Sequence, residues 1–294
     1  MNLIVGVLIP TLVIFMMTVV GTQLHADDFR RVQSQPWPVA LGTLAPFAVL
    51  PPVAAALIYF LSPDPAIAVG MLLIAACPVA GLASFYALLG RGDVALAVTL
   101  TAMSSVVALV ATPIALTLSF EWLLSGPIDV HVPLLPTIKQ LLIGLVLPVA
   151  AGMVIRARWP NWVARQYNGL QRLGLLALAA LVVIILVHDV RLIAENLFSL
   201  IAATVLYTIC TAALGLALGY AFGLPARERI AMWLVFTTRN LTVALLIATS
   251  VLGRIDFAAF GAVFLVVQVL LLLPLLLAVR RRAASSPLVK DALI

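Results

Sequence analysis

The chain has 294 residues, of which 64% are hydrophobic and 10% are charged, and its mean hydropathy is +1.22. Because a soluble globular domain carries about 25% charged residues, this composition excludes a water-soluble fold and indicates a membrane protein. The net charge of +6 does not indicate nucleic-acid binding, since the basic residues lie in short loops between apolar segments.

Nine apolar segments are long enough to cross a hydrocarbon core about 30 Å thick, which needs roughly 20 residues per helix. The first is expected to be a retained helix and not a signal peptide, because no small-residue cleavage site follows it. The short loops leave no room for a soluble domain, so residues 1–294 are predicted to form a single transmembrane domain. The predicted spans are 3–22, 37–61, 66–90, 93–120, 134–156, 171–188, 196–223, 228–252 and 257–279.

The distribution of basic residues predicts the orientation of these spans. With the N-terminus outside and the C-terminus in the cytoplasm, only Lys139, Arg191 and Arg254 fall outside, and Arg239 lies within a span. This bias agrees with the positive-inside rule and indicates a multi-pass protein of a cell membrane, which the composition suggests is a bacterial inner membrane. The basic residues placed inside are Arg30, Arg31, Arg91, Arg156, Arg158, Arg165, Arg172, Arg227, Arg229, Arg280, Arg281, Arg282 and Lys290.

Two of the spans are interrupted. The third contains Pro78, which removes a backbone donor, and Gly81, which loosens the backbone. The eighth contains Thr237-Thr238-Arg239-Asn240-Leu241-Thr242, the most polar stretch at membrane depth. Paired interrupted segments in comparable positions of two halves are a sequence sign of a transporter binding site, so these two breaks are predicted to meet near the bilayer centre.

Four stretches in the middle of the chain carry a recognisable pattern, which includes a Cys77-Pro78 pair and an ungapped spacing from Cys77 to Asp93. With these stretches and Asn240 in the eighth span, the chain resembles the bile acid:sodium symporter family over nearly its whole length. The stretches are G-M-L-L-I-A-A-C-P (70–78), G-R-G-D-V-A-L (90–96), T-L-T-A-M-S-S (99–105) and A-T-P (111–113).

The resemblance implies an all-α membrane fold of the nine-helix type. In that fold, two inverted repeats form a panel and a core, and two broken helices, here near 66–90 and 228–252, cross in the core. It also implies secondary transport, by alternating access, of a small organic anion whose site lies beside the crossing. The family usually couples this transport to sodium.

The sodium-site positions implied by the resemblance are altered in this chain. The family glutamate of the second break corresponds to Val235, its glutamine to Arg239, and a glutamine of the second span to about Pro46. At the first site, Ser84 replaces an asparagine and Thr101 keeps its hydroxyl. Sodium prefers several oxygen ligands and a balancing carboxylate, so the guanidinium of Arg239 is hypothesised to act as a tethered cation. No cofactor is therefore expected, and sodium at a reduced site is the alternative that the sequence leaves open.

Two roles for Arg239 are consistent with the sequence. It replaces an ion or bonds the exposed carbonyls of the broken helices, or it binds an anionic substrate, most naturally a carboxylate. Cavity positions are predicted for Asn240, Thr238, Thr242 and, in the last span, Gln268. The roles predicted for other residues are purely structural: Cys77, Ser104 and Ser105 as structural or packing residues, and His25, His131 and His188 as solvated interface residues.

Alternative functions remain open at this point. One is the export of arsenite or another oxyanion, as in relatives of the same superfamily, and another is a transport-inactive membrane sensor. An intramembrane enzyme is not expected, because no acidic pair or histidine–nucleophile arrangement is visible at membrane depth. The predicted partners are a small anionic solute and the lipid bilayer.

Overall fold

We describe the fold from a computed structural model that covers residues 4–25, 35–123 and 132–284. Within these residues the protein is all-helical, and helices occupy each of the nine predicted spans. The fold class expected from the sequence is confirmed. The helices are Ile4–Leu8 (π-helical), Ile9–Gly21, Pro36–Leu61, Pro65–Ala76, Leu82–Leu89, Val94–Leu123, Leu134–Leu141, Leu142–Val146 (π-helical), Leu147–Arg158, Pro160–His188, Val190–Glu195, Leu197–Ala221, Ala226–Thr237, Leu241–Ser250, Ile255–Ala258 (3₁₀) and Ala259–Ala284.

The exterior of these helices is apolar. Six helical segments of the described chain are long and apolar enough to span a membrane, and three shorter apolar helices, Gly6–Gly21, Pro65–Ala76 and Leu241–Ser250, accompany them. Large apolar side chains such as Phe198, which is 89% exposed, cover the outer surface. Such a surface requires contact with lipid, because water does not solvate it.

One helix is longer than the sequence predicts. The expected span 171–188 is the second part of a 29-residue helix, Pro160–His188, which at 1.5 Å per residue is about 44 Å long. Its first part, which carries Arg165 and Arg172, is polar and largely exposed, so it continues the helix beyond the hydrocarbon core. An apolar-segment criterion cannot detect this extension.

Three helices form a layer at one side of the molecule: Ile9–Gly21, Leu147–Arg158 and Pro160–His188 pack against one another. We call them the three-helix layer. Two glycines bring the first two of these helices together. A Cβ atom on Gly21 would overlap the backbone of Val149, and a Cβ atom on Gly152 would overlap the carbonyl oxygen of Thr18. Small residues at a membrane helix crossing permit this close approach.

The remaining long helices surround the two broken spans. The first broken span consists of Pro65–Ala76 and Leu82–Leu89, and the second consists of Ala226–Thr237 and Leu241–Ser250. Each half of one packs against the opposite half of the other. The single-domain organisation over 1–294 stays a prediction. The positions Arg30, Arg31, His131 and Lys290 lie outside the described residues.

Candidate functional site

The two helix breaks meet. We call residues 77–81 the first junction and residues 238–240 the second junction. Val79 and Arg239 form an antiparallel β-bridge, the amide of Ala80 donates to the carbonyl of Thr238 at 3.2 Å, and the amide of Asn240 donates to the carbonyl of Pro78 at 3.0 Å. Each junction therefore satisfies backbone groups that the break in the other helix leaves free, as non-helical backbone at membrane depth requires.

The helix Val94–Leu123 supplies two further partners to the first junction. The hydroxyl of Ser104 accepts from the amide of Val79 at 3.1 Å, and the hydroxyl of Thr112 donates to the carbonyl of Ala76 at 2.7 Å. Ser104, predicted to be a packing residue, thus bonds the junction, and the contact of Thr112 was not anticipated. Together with Thr101 and Ser105, these two residues form a buried polar stripe on one face of the helix, with a period of about 3.6 residues. This period is visible in the sequence and could have indicated the polar contact.

Replacing Thr112 with valine is expected to lower the stability of the protein by about 1–2 kcal/mol, because the buried carbonyl of Ala76 then loses its partner. Thr117 on the same helix is a matched control, since its hydroxyl is buried without a partner in the described structure. Thr117→Val should leave the melting temperature unchanged or raise it. Thermal unfolding of both variants in detergent measures the difference, and equal effects would contradict this role of Thr112.

Asn240 begins the second half of the second broken span. Its side-chain oxygen accepts hydrogen bonds from the amides of Thr242 at 3.1 Å and Val243 at 3.3 Å, which is the geometry of a helix N-cap. Its amide nitrogen faces the sulfur of Met17 at 3.9 Å. Asn240 therefore holds the helix start in place, and its side chain is directed toward the three-helix layer.

Arg239 is the largest buried side chain, with 1% of its surface exposed. Nη2 donates to the carbonyl of Cys77, at the C-terminal end of a half-helix, where the helix dipole favours a positive charge. The guanidinium also lies 5.6 Å from the ring centre of Phe47. Nε and Nη1 are buried and have no hydrogen-bond partner within the described residues. The bond to the carbonyl of Cys77 corresponds to the structural role considered from the sequence, in which Arg239 bonds the exposed carbonyls of the broken helices. It uses only one of the three guanidinium nitrogens.

A cavity of about 430 Å³ lies between the crossing and the three-helix layer. Arg239, Asn240, Thr242 and Ser84 line it beside the junctions, and Met16, Phe85 and Leu178 contribute to its apolar walls. Its polar outer part includes Gln23, Tyr167 and Gln171, and the last two are hydrogen-bonded at 2.8 Å. Gln23 follows the helix Ile9–Gly21, and Tyr167 and Gln171 lie in the polar first part of Pro160–His188; the sequence did not reveal their contribution to the cavity.

Two predicted cavity residues do not line this cavity. Thr238 is fully buried, and its hydroxyl has no partner among the described residues. Gln268 is also buried and donates from Nε2 to the carbonyl of Thr237 at 3.0 Å. Gln268 therefore bonds the end of the half-helix that leads into the second junction, and Thr238 is buried within that junction.

The altered ion-site positions offer few free oxygens. The hydroxyl of Ser84 donates to the carbonyl of Gly81, and that of Thr101 donates to Ala97 within its own helix. Val235 and Pro46 are buried without polar side-chain atoms. In the part of the chain that the structure describes, no group of three His, Cys, Asp or Glu side chains is arranged to hold a metal ion.

Access to the site is one-sided in this conformation. Every residue of Ala66–Ala76 and of Leu241–Thr249, the two half-helices on the far side of the junctions, is buried. On the near side, Leu82–Leu89 is partly exposed to the cavity. The crossing is thus reached from the end of the molecule that carries Gln23 and Gln171, whereas packed helices cover it from the other end.

Comparison with known proteins gives a consistent result. A model described as the Sodium Bile acid symporter family matches residues 10–196. The "Uncharacterized sodium-dependent transporter YocS" of Bacillus subtilis is 29% identical over 163 residues, which are 55% of this chain and 49% of that protein.

Two human proteins are also similar to this chain. The "Ileal sodium/bile acid cotransporter" is 27% identical over 188 residues, 64% of this chain and 52% of that protein. The "Sodium-dependent organic anion transporter" is 30% identical over 127 residues, 43% of this chain and 33% of that protein. The chain spans about half, or less, of the length of the curated relatives that it matches.

Proposed function

The chain belongs to the sodium bile acid symporter family, and from this premise we propose that it is a secondary transporter of a small organic anion that works by alternating access. The relatives support this assignment, since two of them are named for the transport of bile acid or organic anions. The two junctions and the adjoining cavity supply a site of the kind that such transport requires.

The observation that carries the proposal is the unpaired part of the Arg239 guanidinium. An arginine at mid-membrane costs at least about 2.5–3.5 kcal/mol on insertion scales, and no acidic side chain among the described residues faces the charge of Arg239. Nε and Nη1 have no protein partner among the described residues, and Arg239 contributes to the cavity lining. A carboxylate suits these donors because the N–H groups of a charged guanidinium form their stronger hydrogen bonds with an ionised acceptor.

The coupling ion is a separate part of the proposal. Although the matched relatives are named as sodium-dependent, transport by this chain does not require sodium. The fixed charge of Arg239, bonded to the carbonyl of Cys77, stands at the junction where the resemblance implies a mobile cation. The buried Val235 and Pro46 offer no side-chain ligand that would hold a cation next to it.

Orientation follows from charge. The basic residues Arg156, Arg158, Arg165 and Arg172 lie at the same helix ends as the outer part of the cavity. The positive-inside rule assigns this end to the cytoplasm, with the N-terminus outside and the protein in a bacterial inner membrane. The structure then represents an inward-facing state. If this orientation is correct, a green fluorescent protein fused to the C-terminus should be fluorescent, and alkaline phosphatase fused at the same position should be inactive. The reverse pair of results would refute the orientation.

The proposal is tested by solute flux. Purified protein in proteoliposomes should accumulate a radiolabelled carboxylate by counterflow, and carboxylates should raise its melting temperature whereas the corresponding uncharged amides should not. Flux of arsenite without flux of carboxylates would favour oxyanion export instead; Cys77, the buried thiol near the site, does not line the cavity. Ligand-induced stabilisation without any flux would indicate a transport-inactive sensor.

A further inference from the structure

A group of ionisable side chains lies at the end of the molecule opposite the cavity entrance. Pro160–His188 carries Tyr167, in the outer part of the cavity, near one end and His188 at the other. Their separation of 21 positions corresponds to about 31 Å of helix, so the two ends reach opposite faces of the membrane. The turn after this helix begins with Asp189, at the face from which the crossing is covered.

Asp189 is a buried carboxyl that is only partly satisfied. Its side chain is 6% exposed, and Oδ1 lies 2.8 Å from Nδ1 of His188. Oδ2 is buried and has no hydrogen-bond partner in the described parts of the chain. Burial raises the pKa of Asp189, the contact with His188 opposes this, and the negative charge of Asp256 adds to the increase. Burial, the unpartnered Oδ2 and the charge of Asp256 together outweigh the contact with His188 and favour the protonated carboxyl.

The groups facing Asp189 come from both sides of a helix contact. The end of Pro160–His188 packs on the 3₁₀ helix Ile255–Ala258, which follows the second broken span. Asp256 on that helix is paired with Arg254, with contacts of 2.9 Å and 2.6 Å. The other charged groups near this contact are Asp64, which interacts electrostatically with Arg254, and Arg191 and Glu195 on the next short helix.

We propose that Asp189 is a proton-binding site that holds this face of the transporter closed. The inference rests on the alternating access of the proposed function, because this face must open when the cavity closes. Opening separates Pro160–His188 from Ile255–Ala258 and gives the Asp189 carboxyl access to water. An exposed aspartate has a pKa of about 3.9, so the open form releases the proton that the closed form retains.

The sign of the pH effect follows from this difference. Below about pH 3.9 both forms hold the proton, and the closed form has its full advantage. As the pH rises toward the raised pKa of the closed form, the open form loses its proton first and becomes progressively favoured. The ratio of open to closed protein can change by up to about tenfold per pH unit in this window. Above the raised pKa both forms are ionised and the ratio no longer changes.

The experiment measures opening directly and does not depend on transport. A cysteine at Ile255, which is buried at the contact, is labelled with a membrane-impermeant thiol reagent in proteoliposomes between pH 4.5 and 8. Each rate is divided by that of the same cysteine in an Asp189→Asn background at the same pH, which cancels the intrinsic reactivity of the thiol. Asparagine keeps the shape of the protonated carboxyl and does not titrate, so it serves as the reference at every pH. The ratio of the two labelling rates should rise severalfold with pH as Asp189 ionises and the open form becomes favoured.

Two further variants sharpen the test. His188→Gln removes the contact that lowers the pKa of Asp189, so the rise should end at a higher pH. Glu195→Gln, which changes an exposed acid six residues further along, should leave the curve unchanged. A ratio that does not vary with pH, or a curve that moves only with Glu195→Gln, would overturn the proposal. A pH-dependent ratio in protein that shows no flux would support this site while refuting the proposed transport activity.

Discussion

Replacing Arg239 with glutamine is expected to weaken carboxylate binding by at least about tenfold to a hundredfold, because hydrogen bonds to charged groups contribute about 1.5–3 kcal/mol each. The unliganded variant should be at least as stable as the wild type. The substitution removes a buried charge that has no acidic partner among the described residues, and glutamine retains an amide that can donate to the carbonyl of Cys77. Thermal-shift titration with a carboxylate, with and without the substitution, measures both quantities.

Arg239→Lys is the matched control for charge. Lysine keeps the positive charge but lacks the planar fork, so its affinity for carboxylates should lie between those of the wild type and Arg239→Gln. The contradicting result is a lower melting temperature for Arg239→Gln with unchanged carboxylate affinity. It would show that the guanidinium only holds the first junction together. In that case the anion site must be sought elsewhere in the cavity.

Initial uptake by the wild type is expected to be the same, within about twofold, whether the external cation is sodium or potassium. Two unit charges about 4 Å apart repel by about 4 kcal/mol at an effective dielectric constant of 20, which corresponds to roughly a thousandfold loss of cation affinity beside Arg239. Uptake into proteoliposomes under equal ionic strength, with the two cations exchanged, measures the dependence. Uptake that vanishes on sodium removal while Arg239 is intact would refute the tethered-cation hypothesis.

A variant that restores the family residues tests the tethered-cation hypothesis from the other direction. Pro46→Gln, Val235→Glu and Arg239→Gln together replace the fixed charge with a carboxylate and two amide oxygens, which are ligands that a hard cation accepts. This triple variant should gain stimulation by sodium that the wild type lacks. Val235→Glu alone should not, because the new carboxylate would pair with Arg239 instead of a free ion.

The crossing was predictable from sequence because two different signals marked it. Pro78 and Gly81 identified the first junction, and the run of polar residues around Arg239 identified the second, which contains no proline. Proline alone would have been misleading. Pro46, Pro113 and Pro274 lie inside unbroken helices, because surrounding helices in a membrane protein can satisfy the freed carbonyl groups.

The surroundings of the crossing were less predictable because they depend on contacts between distant segments. Thr238 and Gln268 have the right polarity and depth, but both are buried in packing contacts and do not line the cavity. Gln171 was missed since it lies in the polar extension of a helix whose start the hydropathy pattern does not show. His188 is exposed, and its pairing with the buried Asp189 was not predicted, because it depends on helix packing at the turn that the sequence does not show.

The close approach of Gly21 and Gly152 bears on how leakage is avoided. With their backbones in contact, these two helices cannot slide or roll independently, and Pro160–His188 packs on both of them. In the alternating access that we propose, the layer is expected to move as one plate, with the cavity entrance at one margin and Asp189 at the other. Tilting such a plate about the crossing narrows one margin as it widens the other, so the two faces are not expected to open at the same time.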